Sequence, residues 1–135
     1  MDLIFLDANV LFSAAYRPDA GLRKLWSLPG VQRITSAYAA EEARRNLSRP
    51  KQREDLEELL GSVEIIATTA ISMGHPLFSA IELPVKDQPV LLAAIGAGAT
   101  HLLTGDFQHF GRYYGERIEG VLILPPGDYL ASRTE

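Results

Sequence analysis

The chain has 135 residues and a mass of 14.8 kDa, with 47% hydrophobic and 22% charged residues; these values fit one globular domain spanning residues 1–135 and exclude a disordered, collagenous or coiled-coil chain. With 13 basic and 17 acidic residues, a net charge of −4 and a pI near 5.4, it lacks the overall basic character that usually marks nucleic-acid binding. The absence of cysteine excludes disulfides, thiolate nucleophiles and Cys-ligated zinc, and the longest run without charged or hydrogen-bonding side chains, Pro89 to Ala99, is 11 residues against the roughly 20 needed to span a membrane.

Leu3-Ile4-Phe5-Leu6 is a short apolar run that ends at an acid, the pattern of a strand buried on both faces. No basic leader or small-residue cleavage site precedes it, so no membrane association is expected and the cytoplasm is the default location. Apolar clustering from Asn9 to Tyr16, then Leu22, Leu25, Trp26 and Leu28 at helical spacing, predicts two short helices with Pro18-Asp19 as the turn and cap between them. A second strand is expected over Val31 to Thr35, with Ser36 capping a helix that runs to Ser48 and carries Tyr38, Ala40, Ala43 and Leu47 on its apolar stripe. A polar helix from about Lys51 to Leu60 and a third strand from Val63 to Ala67 follow. Gly74, Pro76 and Pro84 make Thr68 to Val85 irregular, with one short helix around Pro76 to Ile81. Asp87 opens a strongly apolar helix with Pro89 in its first turn and a glycine C-cap at Gly96-Ala97-Gly98. A fourth strand at His101 to Thr104, a fifth at Gly120 to Leu124, and a terminal helical turn at Asp128 to Ser132 complete the chain. Alternating strands and helices predict a mainly parallel sheet covered on both faces, a three-layer α/β/α domain.

In open α/β sheets, ligands bind beyond the carboxyl ends of the strands, where the strand order reverses. Asp7 follows the first strand and Asp106 the fourth, so adjacent placement of those strands would bring the two carboxylates together. Unpaired carboxylates held close repel, and the repulsion is relieved by protonation or by a divalent cation bound through oxygen, such as Mg²⁺ or Mn²⁺. Any one such acid has a simpler use: strand-end Asp is a common N-cap or turn residue, Asp87 can cap its helix, and Glu42 can be a solvated helical acid beside Glu41. Asn9 and Thr104, two residues from Asp7 and Asp106 respectively, offer an amide and a hydroxyl suited to orienting carboxylates.

Leu6-Asp7-Ala8-Asn9-Val10-Leu11, together with Lys86-Asp87-Gln88-Pro89-Val90-Leu91-Leu92-Ala93-Ala94 and Leu103-Thr104-Gly105-Asp106, resembles the PIN domains found in ribonucleases and in the toxin half of VapBC-type toxin–antitoxin pairs. The spacing of 19 residues between Asp87 and Asp106 matches that family, and the likeness covers nearly the whole chain. Its helical Glu followed five residues on by Leu is matched by Glu42 and Leu47, whereas Glu41 would place Asn46 at the apolar position. The family often has another acid two residues after the last Asp. Here that position is Gln108, which implies a weakened or reshaped second metal position. The tail around His109-Phe110-Gly111 and Gly120-Val121-Leu122-Ile123 resembles one bacterial branch. The resemblance implies a five-stranded sheet in the order 3-2-1-4-5, with Asp7, Glu42, Asp87 and Asp106 as catalytic residues holding one or two Mg²⁺ or Mn²⁺ ions. It further implies hydrolysis of RNA to 5′-phosphate and 3′-hydroxyl products, a small antitoxin protein as partner, and a homodimer.

Arg44 and Arg45 open a basic stretch that continues to Arg53; its simplest role is a solvated helix surface, and its functional role is to meet an RNA backbone without reading sequence. His75, His101 and His109 are too scattered for a spaced ligand set; His109, near Asp106, is a candidate phosphate contact. The rival to an enzyme is a non-catalytic PIN module that binds RNA or a protein, favoured by Gln108 and the acidic net charge. Asp7-Ala8-Asn9 lacks the second Asp that a haloacid-dehalogenase-type phosphatase needs.

Overall fold

The computed structural model describes residues 1–67 and 75–133. Strand β1 (Asp2–Leu6) is central, because Ile4, Phe5 and Leu6 are fully buried on both faces of the sheet. Ile4 and Leu6 enter one apolar cluster with Val10, Leu11, Leu47 and Leu56, while Phe5 enters the other with Val90, Leu91 and Phe110. This alternation produces the three layers, and burying each such side chain contributes about 1.5–3 kcal/mol.

Helix α1 (Ala8–Tyr16) starts directly at the end of β1, and a 3-10 turn over Gly21–Ser27 occupies the place of the second expected helix. Pro18 and Asp19 form the turn, but Asp19 caps nothing: the N-cap is Ala20, without a side-chain hydrogen bond. The segment is anchored by tertiary contacts instead, with Trp26 donating to Leu59 O at 2.9 Å and Arg23 Nε to Ala14 O at 2.7 Å. β2 (Val31–Ser36) runs into α2 (Ala37–Asn46), whose N-cap Ser36 accepts from Ala39 N at 3.0 Å. α3 (Pro50–Leu60) and β3 (Glu64–Ile66) follow, the strand shorter than the expected Val63 to Ala67.

Of the stretch expected to be irregular, residues 68–74 lie outside the described residues, and the short helix is a 3-10 turn over Pro76–Ser79. α4 (Gln88–Gly96) is preceded by a 3-10 turn over Val85–Asp87 and closes as anticipated: Gly98, at φ +72°, donates to Ile95 O while Ala99 donates to Ala94 O. After β4 (His101–Leu103) come a one-turn helix, α5 (Phe107–Phe110), and a short strand, β5 (Arg117–Ile118), neither of which the sequence pattern predicts; β6 (Val121–Leu124), the expected fifth strand, pairs with β5 in a hairpin. Its turn has both central residues at positive φ, Glu119 at +49° and Gly120 at +87°. Glu is an unusual occupant of that first position, so the turn signal was weak. α6 (Pro126–Ser132) ends the fold.

The sheet has six strands in the order β3-β2-β1-β4-β6-β5, parallel except for the terminal β5–β6 pair. The expected five-strand order is therefore present, with β6 in the fifth place and β5 added at the edge. Among the described residues, no helix is long and apolar enough to cross a membrane.

Candidate metal centre

The register of β1 on β4 pairs Leu6 with Leu103, so Asp7 and Thr104 emerge together at the carboxyl ends of adjacent strands. Asp7 N donates to Leu103 O at 3.1 Å, locking that alignment. The Asp7 carboxylate is buried: Oδ1 accepts from Ala8 N at 2.7 Å, and Oδ2 accepts from Thr104 Oγ1 at 2.8 Å and Asn9 Nδ2 at 3.1 Å. Asn9 Oδ1 in turn accepts from Gly105 N at 2.6 Å, tying α1 to the loop that carries Asp106. Burial pushes the Asp7 carboxyl up to about 6; the hydrogen bonds from Thr104 and Ala8 oppose this, and the charges of Asp87 and Glu42 add to it.

Asp87 occupies the N-cap position of α4, yet its side chain makes no capping hydrogen bond. It faces His109 instead. His109 Nδ1 lies 2.8 Å from Asp106 Oδ2 and 2.9 Å from Asp87 Oδ2. A protonated Nδ1 carries a single hydrogen, and the geometry directs it to Asp106, leaving the buried Asp87 Oδ2 in ion-pair range without an aligned donor. Burial raises the Asp87 carboxyl pKa, His109 counteracts the rise, and Asp106 and Glu42 reinforce it. Asp106 itself caps α5, its Oδ1 accepting from His109 N at 3.2 Å. Asp7 and Asp106 thus each use one oxygen as an ordinary helix cap; the other oxygen of Asp106 faces His109, whereas that of Asp7 is taken up by Thr104 and Asn9. Neither Asp7 nor Glu42 is among the donor atoms that come within 4.8 Å of one another.

Glu42 is partly buried on α2 and borders a cleft of about 230 Å³ with Ala8, Asn9, Phe12 and Asn46. Its charge acts on Asp7 and Asp87, whereas Glu41 is exposed and lies 3.5 Å from Arg44. Tyr38 OH donates to Lys86 O at 2.9 Å, fixing α2 against the turn that presents Asp87. Arg44 forms a two-bond pair with Glu57 of α3, at 2.7 and 3.1 Å, so its guanidinium is committed within the protein. Arg45 is exposed. Gln108 is exposed at a cavity of about 450 Å³ that it shares with Gln88, His109 and Arg112.

Scattered spacing gives His109 no place in a ligand set and suggests a phosphate contact; in the structure its ring lies between two carboxylates. One donor atom from each of Asp87, Asp106 and His109 lies within 4.8 Å of the others. The three-residue spacing of Asp106 and His109 was the available signal, but it carries weight only once a helical turn is known to start at Asp106. Carboxylate oxygens with one imidazole, and a buried carboxylate oxygen lacking an aligned donor, fit a divalent metal cation.

Strand order and helix placement define a mainly parallel α/β fold that is PIN-like by structural match. The chain is similar in structure to VapBC2 from Rickettsia felis bound to a DNA fragment from their promoter, at TM-score 0.66 and 16% identity over 91% of this chain and 98% of that one. It is also similar to VapBC-1 from nontypeable Haemophilus influenzae, at TM-score 0.59 and 14% identity over 93% and 98% of the two chains. A third match is Mycobacterium tuberculosis VapC20, a Sarcin-Ricin loop cleaving toxin, at TM-score 0.51 and 16% identity over 78% and 92%. At these identities the likeness establishes the fold. The sequence matches no protein-family model and no curated protein.

Proposed function

We propose that the protein is a metal-dependent endoribonuclease of the PIN type, acting as the toxin of a toxin–antitoxin pair. The observation that carries this reading is the Asp87–Asp106–His109 cluster beside the buried Asp7, at the sheet edge where α/β folds place their chemistry. Asp7, Glu42, Asp87 and Asp106 are the residues that would hold Mg²⁺ or Mn²⁺, with His109 as a further donor. Such an ion supplies Lewis acidity, activating water and neutralising charge on the phosphodiester. The chain's own part is positional. Thr104 and Asn9 fix the Asp7 carboxylate, and Tyr38 secures the turn bearing Asp87. RNA as substrate class is supported by the fold shared with a Sarcin-Ricin loop cleaving toxin, and a small antitoxin partner by the VapBC structures. A homodimer and a cytoplasmic location belong to the same proposal.

One observation favours the non-catalytic alternative: His109 in contact with two carboxylates can offset their repulsion without an ion. Asp7→Asn separates the readings, because it keeps side-chain size and deletes one ligand charge. Only interactions stronger in the transition state accelerate the chemical step. Cleavage of single-stranded RNA in Mn²⁺ should therefore fall by at least about 10²-fold, with RNA affinity within a few-fold. Equal cleavage rates for wild type and Asp7→Asn in both Mg²⁺ and Mn²⁺ would overturn the ribonuclease assignment.

A further inference from the structure

Phe107 follows Asp106 directly and is 75% exposed, although phenylalanine ordinarily buries its ring. The ring is supported from beneath. A Cβ added to Gly111 would lie 2.7 Å from Phe107 Cδ1 and 2.9 Å from Cε1, so the ring rests where only glycine leaves room. Tyr114 flanks it, with centroids 6.3 Å apart and an interplanar angle of 47°, and is itself held by donating to Thr104 O at 2.8 Å. Phe107 is thus a braced aromatic surface adjoining the carboxylate cluster. Val85, 64% exposed and two residues before Asp87, is an exposed aliphatic close to these acids in sequence, and it has no π-face.

We infer that Phe107 is a stacking platform for an unpaired base of the nucleic acid handled at this cluster; the inference rests on the ribonuclease reading above. Phosphates are repelled by this acidic edge unless a cation intervenes, whereas a base is uncharged and presents a flat π-surface that stacks on an aromatic ring whatever its sequence. The charge balance gives stacking added weight. The chain carries net −4, and Arg44 is paired with Glu57, so backbone electrostatics supplies less of the affinity than in a basic protein. Unpaired bases expose both faces and duplex bases do not, so the platform selects single-stranded RNA.

The test measures binding of a fluorescent 12-nucleotide single-stranded RNA, and of the same sequence as a duplex, by anisotropy in Mn²⁺ on an Asp7→Asn background. Cleavage and Mn²⁺ affinity are followed in parallel with native Asp7. Phe107→Ala should weaken single-strand binding by about tenfold, leave duplex binding unchanged and keep Mn²⁺ affinity within twofold; Phe107→Trp should restore it. Gly111→Ala has an ordinary helical backbone at φ −56° and should reproduce the loss by displacing the ring. Equal single-strand affinity in Phe107→Ala, equal loss for duplex and single strand, or a changed oligomeric state in place of lost RNA binding would each overturn the platform. If wild type binds the single strand in this Phe107-dependent way without cleaving it, the platform stands and the ribonuclease reading falls. If it cleaves and Phe107→Ala binds equally, the platform alone falls. If it binds no RNA, both fall.

Discussion

Asp7 carries a conflict between folding and charge. Its folded carboxyl holds a proton up to about pH 6, whereas the unfolded chain releases it near 3.8. Ionisation between those values works against folding, so in the metal-free protein this one group contributes stability that is present near pH 4 and is lost as pH rises through about 6, on the order of 3 kcal/mol. His101 acts in the opposite sense: burial holds its imidazole pKa below 6.5, and the folded state resists a proton that the unfolded chain accepts. The difference between variants isolates Asp7. In EDTA, Asp7→Asn should exceed wild type in stability near pH 7 by more than it does near pH 4, as read from urea denaturation. An Asn amide offers the same atoms to Ala8 and Thr104 at every pH, so its hydrogen-bonding changes give a constant offset. A gap independent of pH would show that the buried carboxylate is not the group responsible.

At the level of elements, α2 serves two neighbours at once. Its inner face places Glu42 toward Asp7 and Asp87, while Arg44 reaches across to Glu57 on α3. Arg44 and Arg45 adjoin in sequence, but packing gives them different surroundings: Arg44 pairs with Glu57 and Arg45 is exposed. Arg45→Ala should therefore reduce RNA affinity and flatten its salt dependence more than Arg44→Ala does. Arg44→Ala should instead cost below about 1 kcal/mol of stability, since its ion pair is partly exposed to water. Fluorescence titration at several salt concentrations, with thermal melting of both variants, checks both halves. Identical salt slopes would return both arginines to one surface role.

For the whole molecule, the acids come from segments far apart in sequence, so holding them together costs repulsion that the fold must offset. A divalent cation that binds only the folded form stabilises it by mass action. Mn²⁺ should raise the melting temperature of the native protein, EDTA should reverse the rise, and Asp106→Asn should reduce it while slightly raising metal-free stability. Equal Mn²⁺ stabilisation of native protein and Asp106→Asn would count against the cluster as the binding site.

The sequence makes most of the element order legible, with the central strand and the residues at its end, but not α5 or the edge strand β5. Apolar runs, the Ser36 cap and the glycine-terminated α4 are local signals, and each is written within a few residues. It also brought Asp7 and Asp106 into view, because a strand-end acid is visible wherever the strand is. Local signals failed where the outcome depended on partners distant in the chain. Asp87 could be read as a helix cap until the fold set His109 against it; Arg44 could be read as an unpaired cation until α3 delivered Glu57. Leu22 to Leu28 has helical spacing, yet its geometry answers to Trp26 and Arg23 bonding to distant carbonyls. Side-chain direction and charge pairing follow from which elements pack together, and the period of a sequence does not specify them.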